Sequence, residues 1–199
     1  MTPAKPSTAQ PSTRDKLIDA AFRVVARDGL EAASVKTIAS EAAVAPGLVH
    51  YHFPNKEAVL VAALRRGLDG YVARESARRA RLRPEEQVRA FFAEARGSAE
   101  AERDFFKVRL ALAARALTSP DLAVVMAEVN AAAVAQTAAV FSAAAARAEP
   151  TDHDQVLAAT LKAAFDGIML AWIADPGFPI DEAGDVLERA AEAWLLSAP

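Results

Sequence analysis

The sequence contains no cysteine. That excludes disulfides, thiolate metal sites and a cysteine nucleophile, and it fits a reducing compartment such as the cytoplasm. No apolar run of about 18 residues is free of charged side chains, which argues against a membrane span. The N-terminus has no apolar stretch of the kind a secretory signal carries. There is no glycine-rich phosphate loop and no repeat of solenoid type. Glycine (8) and proline (11) sit mainly between periodic segments. What remains is rich in alanine and 53% hydrophobic, with a mean hydropathy of +0.10. Such a chain can bury a core, and its composition predicts an all-helical fold.

The net charge of −3 argues by itself against a nucleic-acid partner. Its distribution argues the other way. Residues 1–83 carry 14 Lys+Arg against 8 Asp+Glu, and residues 84–199 carry 9 against 18. A basic N-terminal part on an acidic remainder is the asymmetry of a DNA-binding head on a separate body. The first ten residues, rich in Pro, Ser and Thr, are expected to be a disordered tail.

The stretch from Ser34 to Lys56, SVKTIASEAAVAPGLVHYHFPNK, organises the head. Val35, Ile38, Ala39 and Ala42 fall at i, i+3, i+4 and i+7, one face of a helix capped by Ser34. Pro46 announces a second helix, about Pro46 to His52. A helix so short must be held by its neighbours. Val49 and Phe53 are its expected inward anchors, leaving Pro46, Gly47, Leu48, His50 and Tyr51 exposed. Two short helices at a sharp angle, the second with a small-residue face, describe a helix-turn-helix. Before them the spacing predicts a helix over about Arg14 to Arg27, stopped by Gly29 in a left-handed cap. After them Asn55 caps a helix reaching about Arg81, with Val59, Leu60, Ala63, Leu64 and Leu68 inward. The arginines at its far end (Arg74, Arg78, Arg79, Arg81, Arg83) read as a solvated helix end before a phosphate patch.

The order of Gly29, Ser34-Val35, Ile38-Ala39, the turn into Val44, Gly47, His52-Phe53 and Lys56 resembles the DNA-binding domain of TetR-type transcriptional regulators. The resemblance covers residues 11–71, with the helix-turn-helix motif at 34–53. It implies that 72–199 form a C-terminal helical effector-binding and dimerisation domain. Two departures stand out. The family usually has Gly in the turn and Ser capping the recognition helix, where this chain has Ala43 and Ala45. The family's usual recognition-helix tyrosine falls at His50, with Tyr51 next to it.

The residues expected to touch DNA are Ser34, Lys36, Thr37, Ala45, Pro46, Gly47, Leu48, His50, Tyr51 and Lys56. Lys36 can donate to guanine or phosphate, and Thr37 to phosphate. Gly47 and Pro46 permit close approach, and Leu48 can meet a thymine methyl. Tyr51 and His50 can donate to phosphate, while Lys56 sits beside free N–H groups at a helix start. His50 and His52, two apart on a helix, point about 200° apart and cannot chelate one ion. No metal, cofactor or catalytic residue is expected.

Beyond Pro84, helices are expected at about 84–97, 102–118, 120–147, 152–175 and 181–197. Ala116 to Met126 and Phe165 to Trp172 resemble the betaine-regulator-like branch of the family. Phe105, Phe106, Arg109, Leu112, Met126, Asn130, Phe141 and Phe165 are candidates for an apolar effector pocket. Arg109 can hold an anionic effector or pair with an acidic neighbour, and pairing is the favoured reading. The resemblance implies that the last two long helices pair with their copies, offering Ile168, Met169, Trp172, Leu187, Ala191, Trp194 and Leu195. The alternative is that these stripes only complete the monomer core.

The reading that results is a cytoplasmic, nucleoid-associated repressor, responsive to a small molecule and dimeric on a palindromic operator. The alternative is a helical dimeric ligand-binding or scaffold protein that no longer reads DNA, which Ala43 and Ala45 would favour.

Overall fold

The computed structural model describes residues 11–79, 81–83, 86, 88, 89, 92 and 99–196, without the side chains of 75, 76, 78, 79, 195 and 196. The described residues form helices and no strand. They are α1 (Thr13–Asp28), α2 (Val35–Glu41), α3 (Gly47–His52) and α4 (Lys56–Arg79), then α5 (Arg103–Ala116), α6 (Pro120–Ala144), α7 (Asp152–Ala174) and α8 (Ile180–Leu196). The tail expected over 1–10, most of the helix expected over 84–97, and the side chains of Arg78, Arg79 and Leu195 lie outside the described residues.

Local chemistry explains the helix ends. Ser12 and Asp15 form a reciprocal capping box on α1, and Thr151 and Asp154 form another on α7. Asp15 is drawn down to a pKa of about 2 by the Ser12 hydroxyl and then the Arg66 guanidinium. Gly29 ends α1 at φ 84° and ψ 171°, a positive-φ region open in practice only to glycine, though not the left-handed helical conformation expected.

Two other helices end at alanine where glycine is usual. Ala43 and Ala146 both have φ 54°. In each case the next N–H returns to the carbonyl five residues back: Val44 to Ala39 at 3.0 Å and Arg147 to Ser142 at 2.9 Å. The positive-φ N–H itself returns three residues back, to Ser40 and to Ala143. These are Schellman closures, and the second ends α6 at Ala144 instead of the expected 147. A left-handed alanine is strained by about 1–2 kcal/mol, part of which a glycine loses again in chain entropy. Ala43→Gly and Ala146→Gly are each expected to raise stability by about 1 kcal/mol in urea denaturation.

The first four helices and the start of the body share one core. Leu17, Ile38, Val49, Phe53 and Leu64 are buried in the same cluster as Val108 and Leu112 of α5 and Leu122 and Met126 of α6. Gly67 lets α4 approach its neighbours, because a Cβ there would lie 3.0 Å from the Phe22 ring and 3.2 Å from Phe105. Polar ties follow the same seam. Lys107 Nζ donates to the Ala26 carbonyl near the end of α1 at 3.2 Å, and Arg115 meets Glu57 at 3.1 Å. Arg65 meets Glu128 at 2.7 Å, and Arg74 forks onto the buried carboxylate of Glu102.

The helices α6 and α7 are long and apolar enough in composition to cross a membrane. In this fold they form an antiparallel hairpin, with Ala138 and Phe141 buried against Leu157 and Ala158. α7 also carries an ion pair, Lys162 with Asp166.

Candidate nucleic-acid interface

α2 and α3 are short, so their placement depends on contacts made from one side. Ile38 and Ala39 of α2, with Val49 of α3 and the following Phe53, are buried in the shared core, as the spacing predicts. Arg23 and Arg27 of α1 both reach Glu41 at the end of α2, at 2.8 and 3.1 Å. Those two hydrogen bonds, Arg23 first, hold the Glu41 carboxyl below its ordinary range. Arg66 of α4 clamps Asp15 and Asp19 of α1. The scaffold under α2 and α3 is therefore fixed by apolar burial from within and arginine forks at the edge.

The opposite side of both helices is left to solvent. Ser34, Lys36, Ala45, Pro46, Gly47, Leu48, His50 and Tyr51 are all exposed, and Thr37 and Lys56 are partly so. Ser34 Oγ accepts the Thr37 N–H at 3.0 Å and lies 2.7 Å from the Thr37 hydroxyl, so these two groups are already engaged in the cap. Lys36 and Lys56 carry no ion pair among the described residues. Asn55 caps α4 through Ala58 N–H at 2.8 Å, with Lys56 in its first turn. Tyr51 is 80% exposed, and its ring meets the His52 ring edge-on with centroids 4.9 Å apart. A Cβ added at Gly47 would meet nothing within 4 Å.

The start of α3 departs from expectation by one residue. Pro46 is the cap, already in helical conformation and without a side-chain cap bond, and the helix proper begins at Gly47. Ala45 contributes its carbonyl, which accepts from Leu48 N–H at 3.0 Å. Arg14 was read as part of a packing helix. Its guanidinium stands 5.2 Å over the Phe53 ring with no carboxylate partner among the described residues, which adds a cation beside the end of α3. Only its place at the start of α1, ahead of the apolar face, hinted at this.

Comparison with known proteins decides what such a head belongs to. Residues 17–63 match the model of the bacterial regulatory proteins of the tetR family, and residues 84–196 match the BetI-type transcriptional repressor C-terminal model. The chain belongs to the TetR family. Its members and the relatives found are transcriptional regulators, not enzymes. A nicotine-responsive repressor of Paenarthrobacter nicotinovorans, HdnoR, is 54% identical over 50 residues, 25% of this chain and 26% of HdnoR. The chain thus aligns with about a quarter of the length of the curated relatives it matches. A transcriptional regulator from Rhodococcus sp. Rha1 has the same fold over 94% of this chain and 98% of its own, with a TM-score of 0.79 and 30% identity. A regulator from Saccharomonospora viridis solved with choline covers 92% of this chain and 97% of its own at TM-score 0.73 and 23% identity, which shows the fold. Membership of the family makes the chain a DNA-binding regulator.

The six apolar residues assigned from sequence to an effector pocket fall into three places. Phe105, Phe106 and Phe165 share one aromatic cluster, with ring centroids 5.3 and 5.5 Å apart in sequence order. Tyr71, missed by the sequence reading, stacks on Phe105 at 5.0 Å. Leu112 and Met126 are buried in the core shared with the head, and Phe141 is buried between α6 and α7. Arg109 is buried and pairs with Asp166, the acidic neighbour that was favoured for it. Asn130 Oδ1 is buried with no hydrogen-bond partner among the described residues.

The stripes on α7 and α8 divide in the same way. Met169, Trp172 and Ala191 are buried within their own chain, and Leu187 packs against the α6–α7 cluster. Ile168 is half-buried and Trp194 is exposed, as are Val156, Gly167, Leu170 and Val186.

Proposed function

We propose that the chain is a ligand-responsive repressor that binds a pseudo-palindromic operator as a homodimer, with one α3 in the major groove of each half-site. The observation that carries this reading is the outward side of α2 and α3. There Lys36, Gly47, Leu48, His50 and Tyr51 stand exposed while Val49 and Phe53 anchor the helices from beneath. The head is assigned to residues 11–71 and the ligand-binding and dimerising body to 72–199. Work on nucleoid DNA in the cytoplasm follows from the role.

The dimer is supported by the apolar side chains that α7 and α8 leave uncovered, Val156, Leu170, Val186 and Trp194. Gly167 has open space around it that a partner helix can fill. Effector binding is supported by the aromatic cluster on α5 and α7, and by relatives that include a nicotine-responsive repressor and a regulator solved with choline. Coupling between the two sites runs through α4, which begins beside α3 at Lys56 and reaches α5 at Tyr71 and Arg74. A ligand that favours one arrangement of α4 against α5 changes the spacing of the two heads, and operator affinity falls. The alternative, a head that has lost its reading function, is disfavoured at the turn. Ala43 adopts there the same positive φ that a glycine would supply.

Two variants test the assignment of contacts. Lys56→Ala is expected to weaken binding to every sequence about equally and to lower the salt slope by about one. Lys36→Ala is expected to relax preference at one base position when a randomised operator is selected. A Lys56→Ala protein with unchanged salt dependence contradicts the phosphate role.

A further inference from the structure

Three charged side chains meet inside the body. Arg109 of α5 is 8% exposed, Lys162 of α7 is 16% exposed and Asp166 of α7 is 26% exposed. Arg109 takes both carboxylate oxygens of Asp166 in a fork, with the Nη1 bond at 2.6 Å. Lys162 Nζ then donates to Oδ2, already engaged, at 2.8 Å. Two cations therefore share one carboxylate. Neither has a second carboxylate partner among the described residues. A fork between Arg109 and Asp166 is complete without Lys162, so the lysine is the surplus charge. Its ammonium has three N–H groups and uses one among the described residues. Burial first, and then the Arg109 guanidinium, push the Lys162 pKa below its ordinary value, against the pull of Asp166.

The surroundings suit a ligand with one charged end. Phe165 precedes Asp166 on α7, and its ring packs edge-on against Phe106 at 5.5 Å. On α6, the Oδ1 of Asn130 is buried with no hydrogen-bond partner among the described residues.

Resting on the reading of the body as an effector domain, we infer that its ligand is a small organic carboxylate with an apolar body. The carboxylate is held by Lys162 beside Arg109, and the body lies against Phe106 and Phe165. The anion supplies the charge that the cluster lacks, and its oxygens occupy the unused N–H groups of the lysine. A neutral analogue of the same shape leaves the surplus charge as it was.

The test is the thermal midpoint of the full-length protein with phenylacetate and hexanoate, against phenylacetamide, hexanamide and choline. The two carboxylates are expected to raise Tm, and the amides to bind about tenfold to a hundredfold more weakly. Lys162→Met and Lys162→Gln, each read against its own unliganded Tm, are expected to lose the carboxylate response, and Lys162→Arg to keep it. Amides matching the carboxylates, no response to either carboxylate, or an unchanged response in Lys162→Met each overturn the assignment. If choline raises Tm and releases operator DNA while the carboxylates do neither, the anion assignment fails and the ligand-responsive regulator stands. If carboxylates act through Lys162 in a protein that binds no operator, the assignment stands and the regulator reading fails.

Discussion

Leu112→Ala is expected to lower the stability of the whole chain, reading helices included, by about 2–5 kcal/mol. Leu112 belongs to α5, yet it is 0% exposed in the cluster that also buries Leu17, Ile38, Val49 and Leu64. Its removal leaves a void between the head and the first helices of the body, where Lys107 and Arg115 also tie the two together. A void at a shared seam is felt on both sides. Amides of α1 and α5 should then exchange faster by similar factors, and urea denaturation should keep a single transition at lower midpoint. Faster exchange confined to α5 and the helices after it contradicts a shared core.

Tyr51→Ala is expected to leave stability within about 0.5 kcal/mol of the parent, because a ring that is 80% exposed adds little packing. The same change is expected to weaken operator binding about tenfold or more per half-site. A hydrogen bond from its hydroxyl to a phosphate contributes about 1.5–3 kcal/mol. Tyr51→Phe separates hydroxyl from ring: if the hydroxyl is the contact, Phe behaves as Ala does. Gel-shift titration beside thermal denaturation reads both effects. Loss of stability in step with loss of affinity contradicts a contact role, as does full affinity without the ring.

Much of the head was legible in the sequence because its helices are amphipathic over short range. Val35, Ile38, Ala39 and Ala42 fix the inward side of α2 by spacing alone, and Gly29 stops α1 where only glycine adopts the backbone found. The end of α6 was not legible, since its reversal uses Ala146 at a positive φ without the glycine that ordinarily marks it. Partners far apart in sequence were also hidden. Apolar periodicity shows that Leu112 and Met126 are buried, but not that they are buried against the head. The same limit applies to Met169, Trp172 and Ala191, whose stripes fit a partner helix and their own core equally well. The fold turns them inward and leaves Leu170 and Val186 outside. For Arg109 chemistry sufficed: a guanidinium on an apolar helix needs a carboxylate, and Asp166 supplies it. The second cation, Lys162, sits on α7 and gave no sign of converging on the same group.

The central claim is that the exposed side of α2 and α3 reads DNA. Its most direct test is binding of the purified protein to fragments of its own upstream DNA, across a salt series and against random competitor. Tight binding that resists competitor and falls steeply with salt is the expected result. Weak binding that is equal on random DNA, repeated in a genome-wide fragment selection, would contradict it.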